Sequence, residues 1–125
     1  MITIELPWPD KRLSPNSRCH WAKKHQAAAQ AHEDAKILTY SARMEKHNQG
    51  SEFVTIFGDY EAHYIFQPPD RRRRDIDNIH SSCKNYQDGV CAALGIDDSR
   101  IKRTVLEWGE VVKGGKVVLR LEEMK

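Results

Sequence analysis

Pro68-Pro69 followed by Asp70-Arg71-Arg72-Arg73-Arg74-Asp75 can be neither a helix interior nor a central strand. Proline lacks an amide hydrogen and fixes φ, and a run of charged residues carries nothing to bury. Whatever precedes and follows this block must therefore be separate elements joined by a polar loop. Before it, from Phe53 to Phe66, the even positions Val54, Ile56, Tyr60, Ala62, Tyr64 and Phe66 are apolar, while Thr55, Asp59, Glu61 and His63 hold odd ones. That period of two predicts a half-buried strand, bulged at Gly58. After it, Ile76-Asp77-Asn78-Ile79 opens a helix extending to about Leu94, with Ile79, Tyr86, Val90 and Leu94 on its core face and Gly95 as its stop.

The remaining chain completes one pattern. Ile2-Thr3-Ile4-Glu5-Leu6 alternates as a strand and runs into the rigid Pro7-Trp8-Pro9. From Ser17 to Glu45, Trp21, Ala28, Ala31, Ala35, Leu38 and Ala42 recur at helical spacing and predict a long amphipathic helix. Its first turns carry Arg18, Lys23 and Lys24, positive charge that the helix dipole disfavours and that an anionic partner would offset. Lys102 to Val112 reads as a strand, joined across Lys113-Gly114-Gly115-Lys116 to a final strand, Val117 to Leu121, in a closing hairpin. The order β-α-β-α-β-β predicts a single α+β domain spanning 1–125, a mixed sheet packed with two main helices on one face.

Composition excludes several classes. A chain of 125 residues and 14.4 kDa fits one domain. The net charge is only +2, so any affinity for nucleic acid must come from how charge is distributed. Cys19, Cys83 and Cys91 are odd in number and show no CxxC spacing. There is no apolar leader and no run long enough for a bilayer, which predicts reduced thiols, a cytoplasmic location and no membrane role.

Hydrolysis of a phosphodiester needs charge stabilisation at the attacked phosphate and a source of nucleophile, and a divalent ion supplies both. Magnesium takes hard oxygen ligands and keeps several waters, so two or three carboxylates with a substrate phosphate suffice. Asp75, Asp77 and one of Asp97 or Asp98 are the candidates. In extended backbone Asp75 and Asp77 point to the same side. Arg71, Arg72, Arg73 and Arg74, with Lys23, Lys24, Lys11 and Arg12, are candidates for tracking phosphates. Taken singly, Asp77 reads as a helix cap, Asp97-Asp98-Ser99 as a polar turn and the arginines as a solvated loop. Together they set phosphate-binding cations beside ion-holding carboxylates, a conjunction with no obvious folding benefit. Trp8, Trp21 and Trp108 are assigned to packing rather than to base stacking.

The segment Pro69-Asp70-Arg71-Arg72-Arg73-Arg74-Asp75-Ile76-Asp77-Asn78-Ile79 resembles the RusA family of Holliday-junction resolvases. So do Leu6-Pro7-Trp8-Pro9, Lys84-Asn85-Tyr86-Gln87-Asp88, Asp97-Asp98-Ser99 with Ile101, and Lys113-Gly114-Gly115, so that the resemblance covers nearly the whole chain. It implies a homodimeric, magnesium-dependent endodeoxyribonuclease, with manganese able to substitute and no nucleotide cofactor, that nicks four-way junctions and related branched DNA in pairs during recombination and repair. It assigns Asp75, Asp77 and Asp98 to the acidic site, with Asp97 as the alternative third ligand. It assigns Lys84 as the catalytic lysine, although the family form places that lysine where this chain has Ser81. On one continuous helix, spacings of four and seven residues from Asp77 would reach nearly the same face. A phage or prophage origin is a further implication.

Two readings of other classes stand beside this one. In a catalytically silent DNA- or RNA-binding module the arginines would hold the backbone and the aspartates would only cap and solubilise. A zinc protein built from Cys19, His20, His25, His80, Cys83 and Cys91 would need a ligand spacing these residues lack.

Overall fold

The computed structural model describes residues 1–48 and 58–124. In chain order the regular elements are β1 (Ile2–Pro7), α1 (Trp21–Asn48), β2 (Tyr60–Gln67), α2 (Ile76–Ser82), α3 (Lys84–Leu94), β3 (Ile101–Trp108) and β4 (Lys116–Glu123), with short 3-10 turns at Lys11–Leu13 and Asp98–Arg100. The four strands form one mixed sheet in the order β1-β4-β2-β3. β4 runs antiparallel to both its neighbours, and β2 runs parallel to β3.

Strict alternation makes one face of this sheet the core. Ile2, Ile4 and Leu6 of β1, Tyr60, Ala62, Tyr64 and Phe66 of β2, and Val117, Leu119 and Leu121 of β4 are all sealed from solvent. The even-position reading of the β2 sequence therefore holds from Tyr60 onward. The expected strand residues from Phe53 to Phe57 lie outside the described residues, and the irregularity in the ladder with β3 falls between Tyr60 and Glu61 rather than at Gly58.

Helices α1 and α3 cover this face. The expected α1 stripe is confirmed at Ala31 and Ala35, and Ala28, Leu38 and Ala42 pack at its margin. Two details differ. The helix starts at Trp21 rather than near Ser17, and Trp21 is 73% exposed, because the buried line is Ala27, Ala31, Ala35 and Thr39. These small residues let α3 lie close. At Gly89 a Cβ would come within 2.3 Å of the backbone oxygen of His32 and 3.0 Å of the Ala35 Cβ. From the far end of α1, an Arg43 guanidinium nitrogen donates to the Ala93 carbonyl at 3.2 Å, satisfying a carbonyl in the last turn of α3.

The helix expected from Ile76 to Leu94 is two helices. Cys83 leaves helical geometry, and its amide donates back to the His80 and Ser81 carbonyls, ending α2 before α3 begins at Lys84. The apolar periodicity continues across the break, and Tyr86, Val90 and Leu94 are buried as expected. Gly95 stops α3 with φ 73°, in the left-handed region open to glycine.

The closing hairpin is also corrected. β3 and β4 are not paired, because β2 lies between them. The connection instead crosses the C-terminal end of β2, where the Gly109 amide donates to the Phe66 carbonyl at 2.8 Å and the Val112 amide to the Pro68 carbonyl at 2.9 Å. Gly115, at φ 75°, then turns the chain against Trp8, where a Cβ would sit 2.8 Å from the Trp8 Cβ. The ends of β1, β2 and β3 and the start of β4 thus gather at one end of the sheet, where the arginine loop leaves β2.

Candidate functional site

The loop from Pro68 to Asp75 is built on its own acids. Asp70 accepts from the Arg72 amide at 2.9 Å and pairs with the Arg74 guanidinium at 2.9 Å. The Arg74 hydrogen bond, then the Arg72 amide, hold the Asp70 carboxyl below its ordinary range. The Arg74 guanidinium also donates to the Asp70 and Arg72 carbonyls, at 3.2 and 3.1 Å, and stands 5.5 Å from the centre of the Trp8 ring. Arg74, grouped by sequence with the phosphate-tracking residues, is thereby committed to holding the loop. Arg71, Arg72 and Arg73 are exposed and have no ion-pair partner among the described residues.

The other expected cations divide in the same way. Arg12 grips Asp10 through two hydrogen bonds, at 3.1 and 2.8 Å, so its charge is already compensated. Lys24 reaches back to the Ser14 carbonyl at 3.5 Å. Lys11 and Lys23 are exposed.

Asp75 and Asp77 meet through capping. Asp75 is extended, with φ −92° and ψ 123°, and one oxygen accepts from the Asp77 amide at 3.1 Å, closing the start of α2. This corrects the expected geometry: the two residues do not alternate along one extended segment, since Asp77 is already helical. Both side chains are exposed, and the Asp77 carboxylate accepts no hydrogen bond among the described residues.

Asp97 caps the turn before β3 by accepting from the Ser99 amide at 2.9 Å, the contact that chiefly lowers its carboxyl, and exposed Asp98 follows it. Because β3 begins beside Tyr60, this turn lies at the end of the parallel pair away from Pro68. Among the described residues no three His, Cys, Asp or Glu side chains converge as a group able to hold a metal ion. The structure therefore brings Asp75 and Asp77 together but does not add Asp97 or Asp98 to them.

Lys84 is 72% exposed at the start of α3 and faces Asp88 at 3.8 Å. The expectation that Lys84 and Asp77 share a helix face supposes one continuous helix, whereas α2 and α3 are divided at Cys83.

Behind α2 lies a polar contact that periodicity concealed. The Tyr64 hydroxyl donates to Gln87 Oε1 at 2.8 Å, and the His80 ring stands edge-on to Tyr64 with centroids 5.1 Å apart. Burial lowers the His80 pKa, with Asp77 pulling weakly the other way. Cys83 and Cys91 are buried, and burial pushes both thiols up to about 12. A thiol-specific reagent at mildly alkaline pH should accordingly label Cys19 in the folded protein and reach Cys83 and Cys91 only on unfolding. Mass-spectrometric counting of labelled cysteines before and after denaturant checks this.

Trp108 was placed in the core by sequence and is instead 42% exposed. The available signal is the residues before it: Lys102-Arg103-Thr104 lack an apolar alternation, which marks β3 as an edge strand.

No family model matches the chain. Over 121 residues it is 36% identical to an uncharacterized protein of Xylella fastidiosa (strain Temecula1 / ATCC 700964), an alignment that spans 97% of this chain and 76% of that protein. This chain belongs to the family of that Xylella protein. A matched stretch of that length includes the whole segment from Asp70 to Asp98, so the loop, the acidic pair and the following helices lie within the part shared with the Xylella protein.

Proposed function

We propose that this protein is a structure-specific endodeoxyribonuclease of the RusA type, cutting four-way junctions and related branched DNA in pairs, with magnesium, as a cytoplasmic homodimer in recombination and repair. The observation that carries the reading is the exposed Asp75–Asp77 pair, separated only by Arg74 from Arg71, Arg72 and Arg73, three arginines without acidic partners among the described residues.

Among its described residues the single chain offers an acidic pair rather than a three-carboxylate cage. That suits magnesium, which commonly takes one or two carboxylates and completes its shell with water and substrate phosphate. Asp75, through the oxygen not engaged in capping, and Asp77 would hold the ion, and Asp98 or Asp97 would join only on substrate binding or dimerisation. When bound, the ion would lower the pKa of a water and polarise the phosphate. The chain's own part is to seat the strand: Arg71, Arg72 and Arg73 bind phosphate oxygens, while Arg74 and Asp70 keep the loop in shape. Lys84 would offset phosphate charge from the start of α3. Ile37, Tyr40 and Met44, exposed along one side of α1, support association with a second copy. Among the described residues no helix is long and apolar enough to cross a membrane.

The test is to map nicks in a labelled four-way junction, where breaks in two opposed strands are expected. Binding should also be salt-dependent, and Arg72→Ala should flatten the slope of log affinity against log salt by about one, the effect of losing one phosphate contact. Arg12→Ala, which removes a paired charge, should change that slope much less. Fluorescence anisotropy across a salt series measures both.

The second reading, a silent nucleic-acid-binding module, is favoured by the local engagement of Asp70, Asp75 and Asp97 in turns and caps. It predicts the same salt slope with no breaks in either strand.

A further inference from the structure

At the C-terminal end of β2 and β3, the arginine loop and the crossing segment enclose an open cavity of about 270 Å³, lined by Arg71, Arg72 and Arg73 together with Trp108 and Val111. Its frame is fixed. The Gly109 and Val112 amides clamp the crossing segment to the Phe66 and Pro68 carbonyls, and the Asp70–Arg74 pair holds the loop. Gly109 allows the close approach, since a Cβ there would stand 2.9 Å from the Ile65 Cγ2.

Trp108 does not behave as a core residue in this frame. Its partner across the ladder, Phe66, is sealed, whereas Trp108 keeps 42% of its surface open. Phe66 meets it at 61° with centroids 5.9 Å apart, a contact that fixes the orientation of the indole while leaving much of it open. Three guanidinium groups without an ion-pair partner among the described residues and an open indole, lining one cavity, combine two chemistries, attraction for an anion and a flat π-surface. A site for phosphate alone has no use for the indole, and an apolar site would not tolerate the cations. Its size, just below the roughly 300–1,000 Å³ of sites for drug-sized ligands, is on the scale of one planar ring.

We propose that this cavity receives one unpaired nucleotide of a DNA strand, the base stacked on Trp108 and the flanking phosphate held by Arg71, Arg72 and Arg73. Stacking on an aromatic ring is tolerant of base identity, because every base has a π-face. The proposal rests on the nucleic-acid part of the reading above and is independent of cleavage.

The test compares a short labelled oligothymidylate with a blunt duplex of the same length by fluorescence anisotropy, in EDTA so that nothing is cut. Trp108→Leu, which keeps apolar contact with Phe66 but has no π-face, should weaken single-strand binding by about tenfold and leave duplex binding unchanged. Trp108→Tyr should restore most of the single-strand affinity, and Trp21→Phe should alter neither. Single-strand affinity in Trp108→Leu equal to that of the wild type overturns the proposal, as does an equal loss on both probes or the absence of single-strand binding by the wild type. Single-strand binding that depends on Trp108, in a protein that leaves junctions intact, supports this site and removes the nuclease reading instead.

Discussion

Asp77→Asn should lower junction cleavage by about 100-fold or more, the scale on which removal of one charge-stabilising group is felt, while binding of uncut junction in EDTA persists. The structure makes this a clean substitution. The Asp77 carboxylate is exposed and accepts no hydrogen bond among the described residues, so the fold draws on it only through the small favour of a negative charge in the first turn of α2. Its backbone amide, which Asp75 caps, is untouched by the change. Asp75→Asn should behave in the same way, because asparagine caps a helix about as well as aspartate. Both variants should therefore melt close to the wild type and still bind. Asp70→Asn should differ: it weakens the pair with Arg74, and so disturbs the loop without removing an acid from the pair at α2. Strand-cleavage rates beside thermal melts check all three. Undiminished cleavage by Asp77→Asn would remove the acidic pair from the account.

Gly89→Ala should be strongly destabilising. The added Cβ would meet the His32 carbonyl oxygen at 2.3 Å, and that atom belongs to the α1 backbone, so no rotamer change relieves the clash. The helices must separate, opening the seam lined by Ala31, Ala35 and Val90. Overpacking of this kind costs about 3 kcal/mol, against a gain of about 1 kcal/mol from the better helix propensity of alanine. The net loss of about 2 kcal/mol corresponds to a fall in Tm of roughly 8 °C for a domain of this size, and Gly89→Val should be worse. Gly114→Ala is the control, since nothing lies within 4 Å of a Cβ there and only the strain of its φ of 81° remains. Thermal melts of the two variants should separate them clearly.

The sheet was legible in sequence wherever one face is buried, because period-two alternation is then enforced residue by residue. Ile2, Ile4 and Leu6, like Tyr60, Ala62, Tyr64 and Phe66, were readable for that reason. Strand pairing was not readable, since it is a long-range choice. Lys113-Gly114-Gly115-Lys116 looks like a hairpin turn, but the partners of β4 are Ile2 to Pro7 and Tyr60 to Gln67. The break at Cys83 was hidden because Tyr86, Val90 and Leu94 continue the apolar stripe beyond it. In the candidate site a helix cap was visible before the apolar run but fell to Asp77, whereas Asp75 is the cap and Asp77 lies in the first turn; the division of the arginines was not visible. Whether a guanidinium serves the loop or stays free depends on the Arg74 contacts with Asp70 and Trp8, which only the folded loop creates.

Metal-dependent paired cutting of branched DNA is checked by incubating the wild-type protein with a labelled four-way junction and a matched linear duplex, each with magnesium and with EDTA. Symmetric nicks are expected in the junction with magnesium, none with EDTA and none in the duplex. Tight junction binding with no cutting under any of these conditions would contradict it.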